Sequence, residues 1–98
     1  MIDWSHISGF DWDSGNAVKS DQKHGVGCDE AESVFVAPLV LPDDAHSTPG
    51  EIRLHAFGLS SAGRPLAVTF TLRGEKIRII SARTMNKRER KTYGFQQK

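Results

Sequence analysis

Two histidines, four arginines and a lysine are the residues of this chain whose types suit one demanding reaction: His24, His46, Arg53, Arg64, Arg78, Arg83 and Lys23. Splitting RNA without a metal requires the ribose 2′-hydroxyl to attack its own phosphate. A base must take the hydroxyl proton, an acid must serve the leaving 5′-oxygen, and cations must spread the charge of the phosphorane. Histidine titrates near neutrality and can carry the protons, while arginine stays protonated and meets phosphate oxygens two at a time with its planar fork. In the catalytic reading His46 and His24 share proton transfer, Arg64 and Arg83 stabilise the phosphorane, and Lys23, Arg53 and Arg78 hold the RNA backbone.

Each of these residues also has a plainer role. His24 can cap the negative end of a helix that Gly25 stops, and His46 lies in a polar loop two residues from Asp44. Arg83 can be the ion-pair partner of Glu89 or Glu51, Arg64 a solvated loop charge, and Arg53 and Arg78 charges on the wet face of any sheet. His6 and His55 read as ordinary surface or edge residues.

Charge supports a polyanion partner. Residues 1–51 hold 10 Asp/Glu against 2 Lys/Arg, and residues 52–98 hold 2 against 11, so a net charge of +1 conceals an acidic half followed by a basic one. The cluster Lys87, Arg88, Arg90 and Lys91 is dense enough to follow a phosphate backbone or to pair with an acidic partner segment. The carboxylates Asp29, Glu30 and Glu32 read as a solvated helix face, and none has the spacing of a metal cage; neither metal nor cofactor is expected. The single cysteine, Cys28, cannot close an internal disulfide, which suits a reducing, cytoplasmic setting. No apolar run is long enough to span a bilayer and the first twenty residues lack a leader pattern, so no membrane association or secretion is expected.

Ninety-eight residues fit one domain, with a core at about 7–93. Ile7, Phe10 and Trp12 suggest a first strand ending at Asp13. Asp13-Ser14 can cap a helix from Ala17 to His24, and a second helix runs from about Cys28 to Phe35 with Ala31, Val34 and Phe35 facing inward. Pro38 ends it, Leu39–Leu41 can form a short strand, and Pro42–Gly50 is a polar loop. A meander follows. Ile52, Leu54 and Ala56 alternate with Arg53, His55 and Phe57, and a Gly74-Glu75 hairpin turn sets Arg73 opposite Lys76, Leu72 opposite Ile77, Thr71 opposite Arg78, Phe70 opposite Ile79, Thr69 opposite Ile80 and Val68 opposite Ser81. By the same parity Arg83 follows the core face. Asn86 or Thr84 can cap a last helix, Lys87–Tyr93. The expected architecture is α+β, in the order β-α-α-β-β-β-α, a small antiparallel sheet with its helices on one face.

With these elements in place, one combination of motifs becomes specific. Phe10-Asp11-Trp12-Asp13, Lys23-His24-Gly25-Val26, Glu30-Ala31, Asp44 with His46, Glu51-x-Arg53, Gly58, Gly63-Arg64, Thr71-x-Arg73-Gly74, Arg78-Ile79-Ile80-Ser81-Ala82-Arg83 and Arg88-Glu89-Arg90 with Tyr93 resemble the BrnT family over about residues 9–93. The resemblance implies a compact ribonuclease toxin of a type II toxin–antitoxin pair with a RelE-like fold. It also implies a tightly bound, BrnA-like antitoxin that carries a ribbon-helix-helix domain, forms a hetero-oligomer with the toxin and alone contacts operator DNA. The expected function is metal-independent cleavage of RNA that inhibits translation. The alternative is a non-catalytic module that docks nucleic acid or an acidic partner on the basic half; a metal-dependent nuclease is the third reading.

Overall fold

The computed structural model of the chain describes residues 4–12, 15 and 24–94. Five strands form one sheet: β1 (Gly9–Trp12), β2 (Leu39–Pro42), β3 (Arg53–Leu59), β4 (Pro65–Arg73) and β5 (Lys76–Thr84), in the spatial order β1-β5-β4-β3-β2. Helix α1 (Cys28–Ser33) continues into a 3-10 turn at Val34–Val36, and helix α2 (Lys87–Thr92) follows the last strand. The expected helix at 17–24 falls outside the described residues except for His24, and Lys23 lies outside them altogether.

The α+β class stands, but two expectations about the sheet do not. β1 runs parallel to β5, with Phe10 opposite Ile77 and Trp12 opposite Ile79, so the sheet is mixed. The short segment after Pro38 pairs along β3 and adds a strand, making the described order β-α-β-β-β-β-α. β4 lies at the centre. Its run Pro65-Leu66-Ala67-Val68 is buried throughout because both faces of the sheet are covered there, which is why it reads as continuously apolar rather than alternating.

One face carries the main core. Val26, Ala31 and Val34 from the α1 segment pack on Ala56, Leu66, Val68, Phe70, Ile77, Ile79 and Ala82. Phe35 meets both Phe10 and Phe70 edge-on, at ring separations of 5.5 and 5.0 Å. Gly58 permits the close approach of this layer: a Cβ there would sit 3.1 Å from Val34 Cγ1 and 3.4 Å from the Val34 carbonyl oxygen. The opposite face has a smaller cluster of Phe57, Ala67 and Met85, over which Tyr93, just past α2, stacks on Phe57 at 4.3 Å. The helices therefore lie on two faces rather than one. Phe57, expected opposite to the core, is buried by this second layer, while Ile52 is 56% exposed.

The β4–β5 hairpin turns on Gly74 at φ 59°, a left-handed value that glycine adopts without a Cβ clash. Its register follows the expected ladder from Arg73–Lys76 to Phe70–Ile79 and then shifts by one residue. Thr69 pairs with Ser81 rather than Ile80, Val68 with Ala82, and Ala67 with Arg83; Ile80 is the extra residue of a bulge. Parity reverses beyond it. Ala82 enters the main core, and Arg83 leaves on the side of Ala67 and α2.

Candidate active site

The sheet face beneath α2 gathers polar residues in rows set by strand pairing. Arg53, Thr71, Arg78 and Asp11 stand in one row, His55, Thr69 and Ser81 in the next, and Phe57, Ala67 and Arg83 in the third. Across the first row Arg78 Nη1 lies 3.5 Å from Asp11 Oδ2, and Arg53 Nε donates to Glu51 Oε1 at 3.1 Å. Both arginines keep part of their surface in solvent.

His46 reaches this face from the turn after β2. The turn is fastened to the start of β3: Asp43 N–H donates to the Arg53 carbonyl at 2.9 Å, Arg53 N–H donates to Ser47 Oγ at 2.9 Å, and that hydroxyl donates back to the Asp43 carbonyl at 2.8 Å. His46 Nδ1 lies 3.0 and 2.9 Å from the two Asp43 carboxylate oxygens. Its partner is thus Asp43, three residues back, rather than Asp44. His55 Nε2 approaches the same carboxylate at 3.3 Å, and His55 Nδ1 sits 3.1 Å from Thr69 Oγ1. The His46 hydrogen bond, helped by the charges of His55 and His46, holds the Asp43 carboxyl below its usual range even though burial pushes it upward.

Arg83 adds a guanidinium to the same side. Its Nη1 and Nη2 donate to Glu89 Oε1 and Oε2 at 2.6 and 2.9 Å, the two-pronged geometry that a phosphate could also accept. Glu89 in turn completes the capping box of α2, taking the Asn86 N–H on Oε1 at 3.0 Å while Asn86 Oδ1 accepts the Glu89 N–H at 2.8 Å. The Arg83 hydrogen bonds hold the Glu89 carboxyl below its usual range, with the nearby charge of His55 adding to the effect. Asp43, His46, His55, Glu89 and Arg83 are therefore one electrostatic neighbourhood.

Arg64 belongs elsewhere. Its Nε donates to Glu30 Oε2 at 2.8 Å, its Nη2 pairs with Glu30 Oε1 and also donates to the Gly25 carbonyl at 2.9 Å, and Ser60 Oγ donates to Glu30 Oε2 at 2.6 Å. Glu30 is on α1, so this clamp sits on the α1 side of the sheet, and Glu30 is an engaged partner rather than a solvated charge. Arg64 and Arg83, both expected to stabilise one phosphorane, therefore stand on opposite sides of the sheet. The four expected catalytic residues separate into two sets: Arg64 with the Gly25 backbone next to His24, and His46 with Arg83 on the α2 face. Glu32 likewise accepts from Trp12 Nε1 at 2.9 Å. His55 and Asp43 are the residues that sequence reasoning passed over. Their signals were the alternation Arg53-x-His55, which puts both on the polar face, and the Asp43-x-x-His46 spacing.

Among the described residues, no group of three or more His, Cys, Asp and Glu side chains could hold a metal ion, and no helix is long and apolar enough to cross a membrane.

A family model described as the ribonuclease toxin BrnT of type II toxin–antitoxin systems matches residues 12–89. The crystal structure of the Brucella abortus ribonuclease toxin BrnT is similar to this chain with a TM-score of 0.65 and 26% sequence identity, over 81% of this chain and 97% of that one. No curated protein matches the chain.

Proposed function

This chain belongs to the BrnT family of ribonuclease toxins of type II toxin–antitoxin systems, and from that membership we propose that it cuts RNA by metal-independent 2′-hydroxyl attack on the α2 face of its sheet. The family implies an RNA substrate and an antitoxin partner. The observation that carries the proposed chemistry is the placement of an exposed imidazole, His46, braced on the buried Asp43 carboxylate, on the same face as the forked Arg83.

In this mechanism His46 Nε2 takes the proton of the 2′-hydroxyl as its oxygen closes on phosphorus. The P–O5′ bond breaks, and the 5′-oxygen leaves as a hydroxyl after taking a proton from solvent. Arg83 exchanges Glu89 for two phosphoryl oxygens and meets the charge that grows on them. A charged fork aimed at such developing charge contributes about 10²–10³ in rate. Arg53 and Arg78, two rows from Arg83, hold flanking phosphates; Lys23 is proposed as a further backbone contact. Arg64 serves the clamp on the other side and not the reacting phosphate, and His24, beside the Gly25 carbonyl of that clamp, is given no part in proton transfer.

The products are a 2′,3′-cyclic phosphate and a 5′-hydroxyl, and loss of message stops translation in the cytoplasm. The antitoxin is proposed to be BrnA-like, with a ribbon-helix-helix domain that alone meets operator DNA in the toxin–antitoxin hetero-oligomer. Incubation of the purified chain with end-labelled RNA in EDTA tests the reading: fragments ending in cyclic phosphate support it. RNA that is bound but stays intact favours a non-catalytic binding module, and cutting that EDTA abolishes favours a metal-dependent nuclease.

A further inference from the structure

We propose that Asp43 is a positioning residue for His46, that it fixes the ring in the Nδ1–H tautomer so that Nε2 is the base atom, and that His55 holds the same carboxylate in place. The proposal rests on the reading above and deepens it: it gives Asp43 the task of setting the tautomer and adds His55.

Asp43 is 9% exposed. An ionised carboxylate only accepts hydrogen bonds, so a ring nitrogen within reach of it must carry the hydrogen. For His46 that nitrogen is Nδ1, at 3.0 and 2.9 Å, and the lone pair is left on Nε2 of a side chain that is 69% exposed. For His55 the nitrogen facing the carboxylate is Nε2, at 3.3 Å, while Nδ1 accepts from the Thr69 hydroxyl at 3.1 Å. One carboxylate thus assigns opposite tautomers to two imidazoles. His46 keeps a free lone pair facing solvent, whereas both nitrogens of His55 are engaged, which makes His46 the ring that meets the ribose and His55 the one that steadies its brace.

The rest of the neighbourhood agrees with this division. The Asp43 backbone is locked by the Arg53 carbonyl and the Ser47 hydroxyl, so the carboxylate is fixed before any RNA arrives. Its two imidazole neighbours keep it in the ionised, accept-only form. The charged groups bearing on His55 from the other side are Glu89 on α2 and, through it, Arg83 on β5. Glu89 and Arg83 are already paired with each other, whereas Asp43 is the carboxylate in contact with both rings.

The test is Asp43→Asn, which preserves shape but replaces an oxygen with an N–H donor. That donor turns toward His46 Nδ1 and moves the ring hydrogen to Nε2, so the base becomes a donor. Nitrogen-detected NMR of the RNA-free protein reads the tautomer directly. The wild type is expected as Nδ1–H and the variant as Nε2–H, with kcat on a short RNA lowered about 10²-fold and KM within about twofold. His55→Leu removes the 3.3 Å contact of Nε2 with the carboxylate and lowers kcat about tenfold, and His55→Gln, which restores a donor there, recovers most of that loss. Circular dichroism of each variant establishes that it is folded. A wild-type His46 in the Nε2–H form, or an Asp43→Asn variant with wild-type kcat, overturns the inference while the ribonuclease reading stands. If the wild type itself leaves RNA intact, that reading falls, and the tautomer measurement still decides whether Asp43 sets the His46 ring.

Discussion

Replacing Arg64 by Met separates a stabilising clamp from a catalytic cation. Met keeps most of the aliphatic stem but loses both guanidinium contacts with Glu30 and the one with the Gly25 carbonyl. Glu30 then keeps only the Ser60 hydroxyl, on a side chain 17% exposed. An ion pair at a fully wet surface contributes about 0–1 kcal/mol, and each hydrogen bond to a charged group contributes about 1.5–3 kcal/mol when water is excluded. Arg64 is 39% exposed, so its side of the pair is screened and the loss lies between these limits, about 2 kcal/mol. A domain of this size loses about 4–8 °C of Tm per kcal/mol, so the variant should melt about 8–16 °C below wild type. Combining it with Glu30→Gln should cost less than the sum of the two single changes, because the second removes a partner already lost. Cleavage measured at 25 °C, where the variant is still folded, should keep kcat within about threefold of wild type, since Arg64 is bound to α1 and not to the face proposed to react. An Arg64→Met protein with an unchanged Tm and a kcat lowered a hundredfold refutes this assignment and returns Arg64 to the reaction.

Arg83→Met should behave in the opposite sense, with kcat lower by about 10²–10³; Arg83→Lys, which keeps the charge but not the fork, should recover only part of that, as measured by single-turnover cleavage. Acid should destabilise the fold in a defined window. Glu30, Asp43 and Glu89 are all held below their ordinary values of 4.5, 3.8 and 4.5, so their stabilisation is complete above those values and disappears as pH falls through the lower folded ones. Thermal melts should therefore give a level Tm from neutrality to about pH 5 and a falling one below, with a shallower fall in Glu30→Gln; a Tm that rises on acidification contradicts the scheme. Gly58→Val should lower stability by about 1–3 kcal/mol in urea unfolding, because even its Cβ meets Val34 Cγ1 at 3.1 Å, while cleavage per folded molecule is unchanged.

The contrast between Arg64 and Arg83 shows where sequence reasoning stops. Both are arginines at the ends of strands, and local pattern gives them the same role. What separates them is the carboxylate each one meets. Glu89 lies six residues after Arg83 and was legible as its partner, whereas Glu30 lies thirty-four residues before Arg64 and looked like part of a wet helix face. The same boundary holds for the strands. Alternation carried the hairpin register correctly from the Gly74 turn to Phe70–Ile79, then failed at Ile80, because an isoleucine fits a bulge and a ladder equally well and no residue type marked the extra position. Every face assignment beyond Ile80 is inverted by that one residue, including the side on which Arg83 emerges. The parallel pairing of β1 was hidden for a related reason: its partner lies more than sixty residues away, and a four-residue strand carries no directional signal.

His55 is the instructive omission. Its alternation with Arg53 placed it on the polar face, and the inference ended there because an isolated histidine on such a face is usually solvated. Only the turn after Pro42, folded back onto the start of β3, puts the Asp43 carboxylate between His55 and His46. The family motifs were legible because they are strings of neighbouring residues. The grouping of His46 and His55 around Asp43 was not, because it exists only where the turn after β2 meets β3, and that meeting is fixed by the packing of Leu54 and Val40 beside the core and by the Ser47 hydroxyl at the strand edge. A Ser47→Ala change, which leaves the imidazoles and the carboxylate intact but loosens the turn that brings them together, should therefore lower kcat more than it raises KM. If it affects neither, the turn is not what holds the pair of histidines in register.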